Sequence, residues 1–302
     1  MKSRFLFPNQ FKLLGWLLAI PGFVLGYFVL YHEYKITGFE LVIRHQDGLF
    51  ISAVENFTNE LALAMIVLGL LFIAFSKEKK EDELTARMRY NALYWAILIN
   101  YLIYGIWLTA TIIRAVFFPD IRVIGEFTDV LATTIYNLFT PLVIFVVRYY
   151  YLRYSKNGEY KVGKLFYMPY KPYKIIGRLV SVIILTMLLV IFIIKWFFKE
   201  DIKGLDPLFD LFVFLPLSLL MWAYSREKNE DEFVATLRLE SMQLAVYINY
   251  AILLVANCCL FFTGFLMFMF INLATIAFFF VMRFNYILWK YNKEAEQGEL
   301  AS

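Results

Sequence analysis

The stretch FSKEKKEDELTARMRYNALYWAILINY, residues 75–101, returns 149 residues later as YSREKNEDEFVATLRLESMQLAVYINY, residues 224–250. Without a gap, 12 of the 27 paired positions are identical, including a Glu-Asp-Glu and an Ile-Asn-Tyr at the same spacing. Composition alone does not produce that. In each copy a charged lead runs into a long apolar stretch, so the acidic residues are expected just before a spanning helix. A second match lies further along, where NLFTPLVIFVVR (Asn137–Arg148) parallels NLATIAFFFVMR (Asn272–Arg283) at an offset of 135. The chain is therefore expected to consist of two similar halves, the second shortened between the two matches.

Working outward, the 302 residues are 61% hydrophobic, 20% aromatic and only 18% charged, with mean hydropathy +0.64. A soluble domain is about 45–50% apolar and about 25% charged. The excess needs a solvent that accepts apolar surface on many elements at once, and that solvent is lipid. A spanning helix takes about 20 apolar residues. Such runs fall at about 13–31, 58–75, 92–117, 129–152, 175–198, 207–224, 242–263 and 266–289. They lack the alternation of a barrel strand. The first run follows Lys2, Arg4 and Lys12 but ends in no small-residue cleavage site, so it is read as a retained helix.

Placing the N-terminus in the cytoplasm puts 22 of the 29 Lys and Arg residues on that side, spread over every inside segment. The fold class expected is thus all-α membrane. Eight transmembrane helices form two tandem, parallel four-helix repeats with both termini inside, in the inner (cytoplasmic) membrane. The first repeat takes residues 1–158, a Tyr- and Lys-rich interfacial linker 159–174, and the second repeat 175–302. Four helices per half means both halves enter from the same side, so the internal axis would lie along the membrane normal. The outer loop 32–57 alternates around Asp47-Gly48 and reads as a hairpin. Gly264 is expected to permit the tight reversal before the last helix. Pro21, Pro141 and Pro216 are expected inside helices, and Gly15, Gly22 and Gly26 at a close packing face.

The charged motif is Glu78, Glu81, Asp82, Glu83 and Arg89 in the first copy, and Glu227, Glu230, Asp231, Glu232 and Arg238 in the second. Carboxylates before a helix suit its unpaired N–H groups and positive dipole end. The plain reading is capping plus ion pairs to neighbouring helix ends, with Arg148 and Arg283 as partners. Two functional readings stand beside it: a divalent-cation site built from carboxylates, and a docking surface for a soluble protein. Asn100, Asn137, Asn249 and Asn272 fall within apolar runs, where an amide must find a partner. They are either interhelical glue or the polar lining of a path. Cys258 and Cys259 are adjacent, and only His32 and His45 supply imidazole, so neither a disulfide framework nor a His/Cys zinc site is supported. No Walker A loop, Gly-x-Ser-x-Gly, HExxH or CxxC occurs, and no cofactor is expected.

The block Glu-Lys-x-x-Glu-Asp-Glu, followed by Arg and then Ile-Asn-Tyr, at Glu78–Tyr101 and Glu227–Tyr250, resembles that of uncharacterised bacterial multi-pass membrane proteins. In those families a short acidic motif precedes a transmembrane helix, and the genes often sit beside small helix-turn-helix regulators. The resemblance covers the two blocks and implies membrane-linked regulation. The expectation is a non-enzymatic membrane protein that senses or regulates through its cytoplasmic acidic motifs. Its partners would be the bilayer and a soluble cytoplasmic regulator, with no direct binding of nucleic acid. The alternative is a transporter or channel with a path between the repeats. An intramembrane enzyme ranks last.

Overall fold

Apolar runs of this length satisfy their backbone N–H and C=O groups internally only as helices, and the chain folds accordingly. A computed structural model describes residues 5–42, 54–79, 81–117, 137–154, 165–198, 210–228, 230–261 and 263–300. Its α-helices are α1 (Gln10–His32), α2 (Thr58–Phe75), α3 (Glu83–Phe117), α4 (Thr140–Tyr154), α5 (Ile175–Phe198), α6 (Leu215–Ala223), α7 (Glu232–Cys259) and α8 (Thr263–Leu300). Among the described residues, six segments are long and apolar enough to cross a membrane: Gln10–His32, Thr58–Phe75, Glu83–Arg114, Tyr170–Ile194, Glu232–Cys259 and Gly264–Glu294. α4 and α6 are shorter. The expected starts of those two spans, 129–136 and 207–209, lie outside the described residues, as do Asp47-Gly48 and residues 159–164 of the linker.

Contacts group the chain into two compact units, Met1–Gly163 with Tyr247–Asn272, and Lys164–Val246 with Leu273–Ser302. In the first unit, α1 lies against α2 at glycine distance. A Cβ on Gly69 would sit 2.5 Å from the Ala19 backbone nitrogen, and one on Gly15 would sit 2.7 Å from the Gly69 carbonyl oxygen. Gly22 is equally tight against the Ile66 nitrogen at 2.9 Å, whereas Gly26 has ordinary room. The chain before α1 joins the end of α2: Phe7 pairs in parallel with Ser76, its N–H donating to the Phe75 carbonyl. Within the loop read as a hairpin, β1 (Glu40–Val42) and β2 (Val54–Asn56) form a two-stranded antiparallel ribbon, with Leu41 opposite Glu55. The core holds Phe75, Tyr94, Leu142, Phe145 and Tyr250, all almost fully buried.

In the second unit, Gly177 of α5 meets α6 as closely. Its Cβ would stand 2.7 Å from the Trp222 nitrogen and 2.9 Å from the Ser218 carbonyl oxygen. Ser181 donates to the Ser218 hydroxyl at 2.9 Å. Met168 pairs in parallel with Ser225, its N–H donating to the Tyr224 carbonyl. Leu219, Met242, Ala245 and Phe280 fill the core.

Away from these cores the surface is apolar. Leu17 of α1 is 62% exposed and Phe192 of α5 is 63% exposed. Exposed apolar faces of that extent suit hydrocarbon tails rather than water.

The proline expectations are refined. All three lie within helices, but of the three Pro21 alone sits past the first turn. Pro141 and Pro216 occupy the first turns of α4 and α6, where a missing N–H costs nothing. The reversal before α8 does not depend on glycine, because Gly264 is already in the helix and a Cβ there would make only ordinary contact. α3 and α7 start nine and ten residues earlier than the apolar runs suggest, because their charged leads are themselves helical.

Candidate functional site

The charged motifs lie between α2 and α3 and between α6 and α7, and each residue in them has an identifiable task. Asp82 caps α3: its Oδ1 accepts the Thr85 N–H at 2.7 Å and the Thr85 hydroxyl at 2.6 Å. Those bonds hold the Asp82 carboxyl below its usual range. Asp231 caps α7 in the same way, accepting the Val234 N–H at 2.7 Å. Glu83 and Glu232 stand in the first helical turns, where the dipole favours them. Glu83 also accepts a bond from Arg87 at 2.8 Å, with both side chains exposed.

Glu81 closes the turn. Its Oε2 accepts the Glu78 N–H at 3.0 Å, while Oε1 takes the Arg89 guanidinium at 2.5 Å. Arg89 is 1% exposed, also donates to the Ser76 carbonyl at 3.2 Å, and lies over the Tyr149 ring. The second motif builds the same staple. Glu230 accepts the Glu227 N–H at 3.2 Å and pairs with Arg238 at 2.9 Å. Arg238, 0% exposed, donates to the Ala223 and Ser225 carbonyls at 3.0 and 2.8 Å and lies over Tyr167 and Phe284. In each buried guanidinium the two terminal nitrogens carry these bonds while Nε makes none, and removing one partner of such a pair typically costs about 3–5 kcal/mol. Each staple ties the end of one helix to the start of the next.

Glu78 and Glu227 face inward and take cations from other elements. Glu78 Oε1 accepts Lys12 Nζ at 2.6 Å, the Tyr149 hydroxyl at 2.9 Å and the Arg153 guanidinium. Burial works against its charge, yet Arg153, Lys12 and Tyr149 together hold the carboxyl at about 2. Glu227 pairs with Lys174.

The expected partners Arg148 and Arg283 bond elsewhere. Arg148 donates from Nε and Nη2 to Asn91 Oδ1 at 3.2 and 3.0 Å and covers the Trp95 ring. Arg283 donates to the Ser241 hydroxyl at 2.7 Å. Asn91 and Ser241 lie well into α3 and α7, so helix spacing carries both arginines past the motifs. The cations that do reach the carboxylates sit at helix ends: Lys12 opens α1, Arg153 closes α4 and Lys174 precedes α5. Sequence reading passed over them because they lie outside the matched blocks. One signal was available, a Pro followed by a Lys at each helix start, in Pro8…Lys12 and Pro169…Lys174.

The intramembrane amides pair with each other. Asn100 Nδ2 donates to Asn137 Oδ1 at 2.6 Å, and Asn272 Nδ2 to Asn249 Oδ1 at 2.9 Å, all four buried. Among the described residues no three His, Cys, Asp or Glu side chains gather as a metal site.

A crevice of about 620 Å³ opens beside Glu78, lined by Asn9, Lys12, Glu78, Lys79, Thr85, Met88, Tyr149 and Arg153. Another, of about 390 Å³, lies beneath the β-ribbon beside Glu33, Lys35 and Glu55. No protein-family model, curated protein or solved structure matches this chain.

Proposed function

We infer that the chain is a non-enzymatic, multi-pass protein of the cytoplasmic membrane that acts in membrane-linked regulation from its cytoplasmic rim. It would be built as two tandem four-helix copies lying parallel, with both termini inside. The observation that carries this reading is the staple made twice: Arg89–Glu81–Ser76 and Arg238–Glu230–Ser225, with an inward Glu–Lys pair beside each. Supporting the duplication further, Phe7 joins Ser76 as Met168 joins Ser225, and glycine seats α1 on α2 as it seats α5 on α6. Rigid turns at one end of both copies present fixed charge to whatever lies there.

The docking set narrows accordingly. Glu81, Asp82, Glu230 and Asp231 serve turns and caps, so docking would fall to the exposed first-turn acids, Glu83 with its Arg87 partner and Glu232. The transport alternative is the weaker reading, since buried amides bonded to one another behave as glue rather than as a polar lining.

The test is photo-crosslinking in cells from the exposed neighbouring positions 84 and 233 of the full chain. A single defined soluble adduct is expected, abolished by the paired changes Glu83→Lys and Glu232→Lys. If no adduct forms, or if the charge reversals leave it unaltered, the rim is not a docking surface.

A further inference from the structure

The two staples serve as an internal control for one another. In the second copy, Glu227 and Lys174 hold their turn with nothing corresponding to Tyr149 and Arg153. At the matching offset of 135 stand Phe284 and Leu288. A stable turn therefore does not require an arginine at that helix end. In the first copy Arg153 is nevertheless brought into the crevice, together with Lys12 and Lys79. These three cations face one carboxylate, Glu78. Its 8% exposure leaves it set back in the wall, while Lys12 is 19% and Arg153 37% exposed. Glu78 occupies part of Arg153 and of Lys12, for a guanidinium carries five N–H donors and an ammonium three. Lys79 is exposed at the rim. The crevice's volume falls in the range of small-molecule sites, roughly 300–1,000 Å³. That is more room than a bare ion needs.

Its surroundings give the depth. Trp16 of α1 lies 6.1 Å from Tyr150 of α4, Lys12 Nζ sits 5.2 Å over the Tyr150 ring, and Arg153 lies over Tyr154. Aromatic rings with basic neighbours at helix ends mark the headgroup zone of a bilayer. Arginine beside two lysines is the donor set that recognises phosphate.

We propose that this crevice binds a phosphate monoanion or diester, with the headgroup of an anionic phospholipid as its occupant. The phosphate would sit between Arg153 and Lys79, with Lys12 shared between it and Glu78. The first copy thus becomes the ligand-sensing copy and the second its structural counterpart. The inference uses the functional reading above only for the side of the membrane. A failed crosslink at positions 84 and 233 would leave lipid binding untouched, so the two fail separately.

The experiment uses the purified full chain in non-ionic detergent, with its thermal unfolding midpoint followed against dioctanoyl phosphatidylglycerol, dioctanoyl phosphatidylcholine and inorganic phosphate. Phosphatidylglycerol is expected to raise the midpoint saturably, and phosphatidylcholine not to. Arg153→Leu, which copies the second half, should weaken the apparent affinity about tenfold or more, as the loss of a charge-assisted hydrogen bond implies. Lys79→Gln alters an exposed side chain and keeps the test open should Arg153→Leu fold poorly. Inorganic phosphate acting as well as the lipid would assign the crevice to a soluble phosphate, and its inactivity beside an active lipid assigns it to the headgroup. Equal effects of the two lipids, or wild-type binding by both variants, would overturn the proposal.

Discussion

At the scale of single residues, Glu78 is the carboxylate with the most to lose from acid. Its ordinary value near 4.5 falls to about 2 in the fold, because Arg153, Lys12 and Tyr149 outweigh the cost of its burial. A carboxyl depressed by folding stabilises the native state at every pH above its unfolded value, and that contribution disappears as pH drops towards its folded value. The contribution at neutral pH is on the order of 2–3 kcal/mol. Stability is therefore expected to decline between about pH 5 and pH 2. Glu78→Gln should lower stability at pH 7 and flatten that part of the profile. Unfolding midpoints of the two proteins across this window check it, and parallel profiles would contradict the assignment. The motif's other acids differ in kind, since Asp82 is spent on a cap and Glu83 makes an exposed pair with Arg87.

At the scale of elements, the α1–α2 contact is set by absent side chains. Gly69 has no space for a Cβ, which would fall 2.5 Å from the Ala19 nitrogen, whereas one at Gly26 meets Ile66 Cδ1 at 3.7 Å. Gly69→Ala must push the helices apart and is expected to cost about 1–3 kcal/mol, the usual range for overpacking. Gly26→Ala should stay within about 0.5 kcal/mol of the parent, since helix propensity then works in its favour. Denaturation in detergent distinguishes them, and equal effects would mean α1 is free to shift on α2. The sequence already offered Gly15, Gly22 and Gly26 of α1 as a packing face, but neither their partner Gly69 nor which of them were essential. That depends on the register of two helices far apart in the chain. The same limit explains the misassigned arginines. Local periodicity places Arg148 near the motif in depth, while only the packed helices reveal that Asn91 faces it and Lys12 faces Glu78. What needed no packing was read directly: capping by the acidic motifs, borne by Asp82 and Asp231, and the long apolar runs.

At the scale of the whole molecule, orientation is the property on which the remaining readings converge, and charge argues it. With 22 of 29 basic residues assigned to one side, each added crossing would move a later basic segment across the bilayer, which the positive-inside bias opposes. The duplicated staple makes the argument sharper. If two like copies follow one another with an even number of crossings between their matched residues, Lys79 and Lys228 must emerge on the same side, and Lys35 on the other. With Cys258 and Cys259 replaced by Ala, single cysteines at positions 79, 228 and 35 can be labelled in intact cells with a membrane-impermeant maleimide. Labelling is expected at 35 alone, and at 79 and 228 only after the cells are opened. Positions 79 and 228 labelling from opposite sides would require an odd number of crossings between them. The copies would then be inverted, and a regulator could not meet both staples from the cytoplasm.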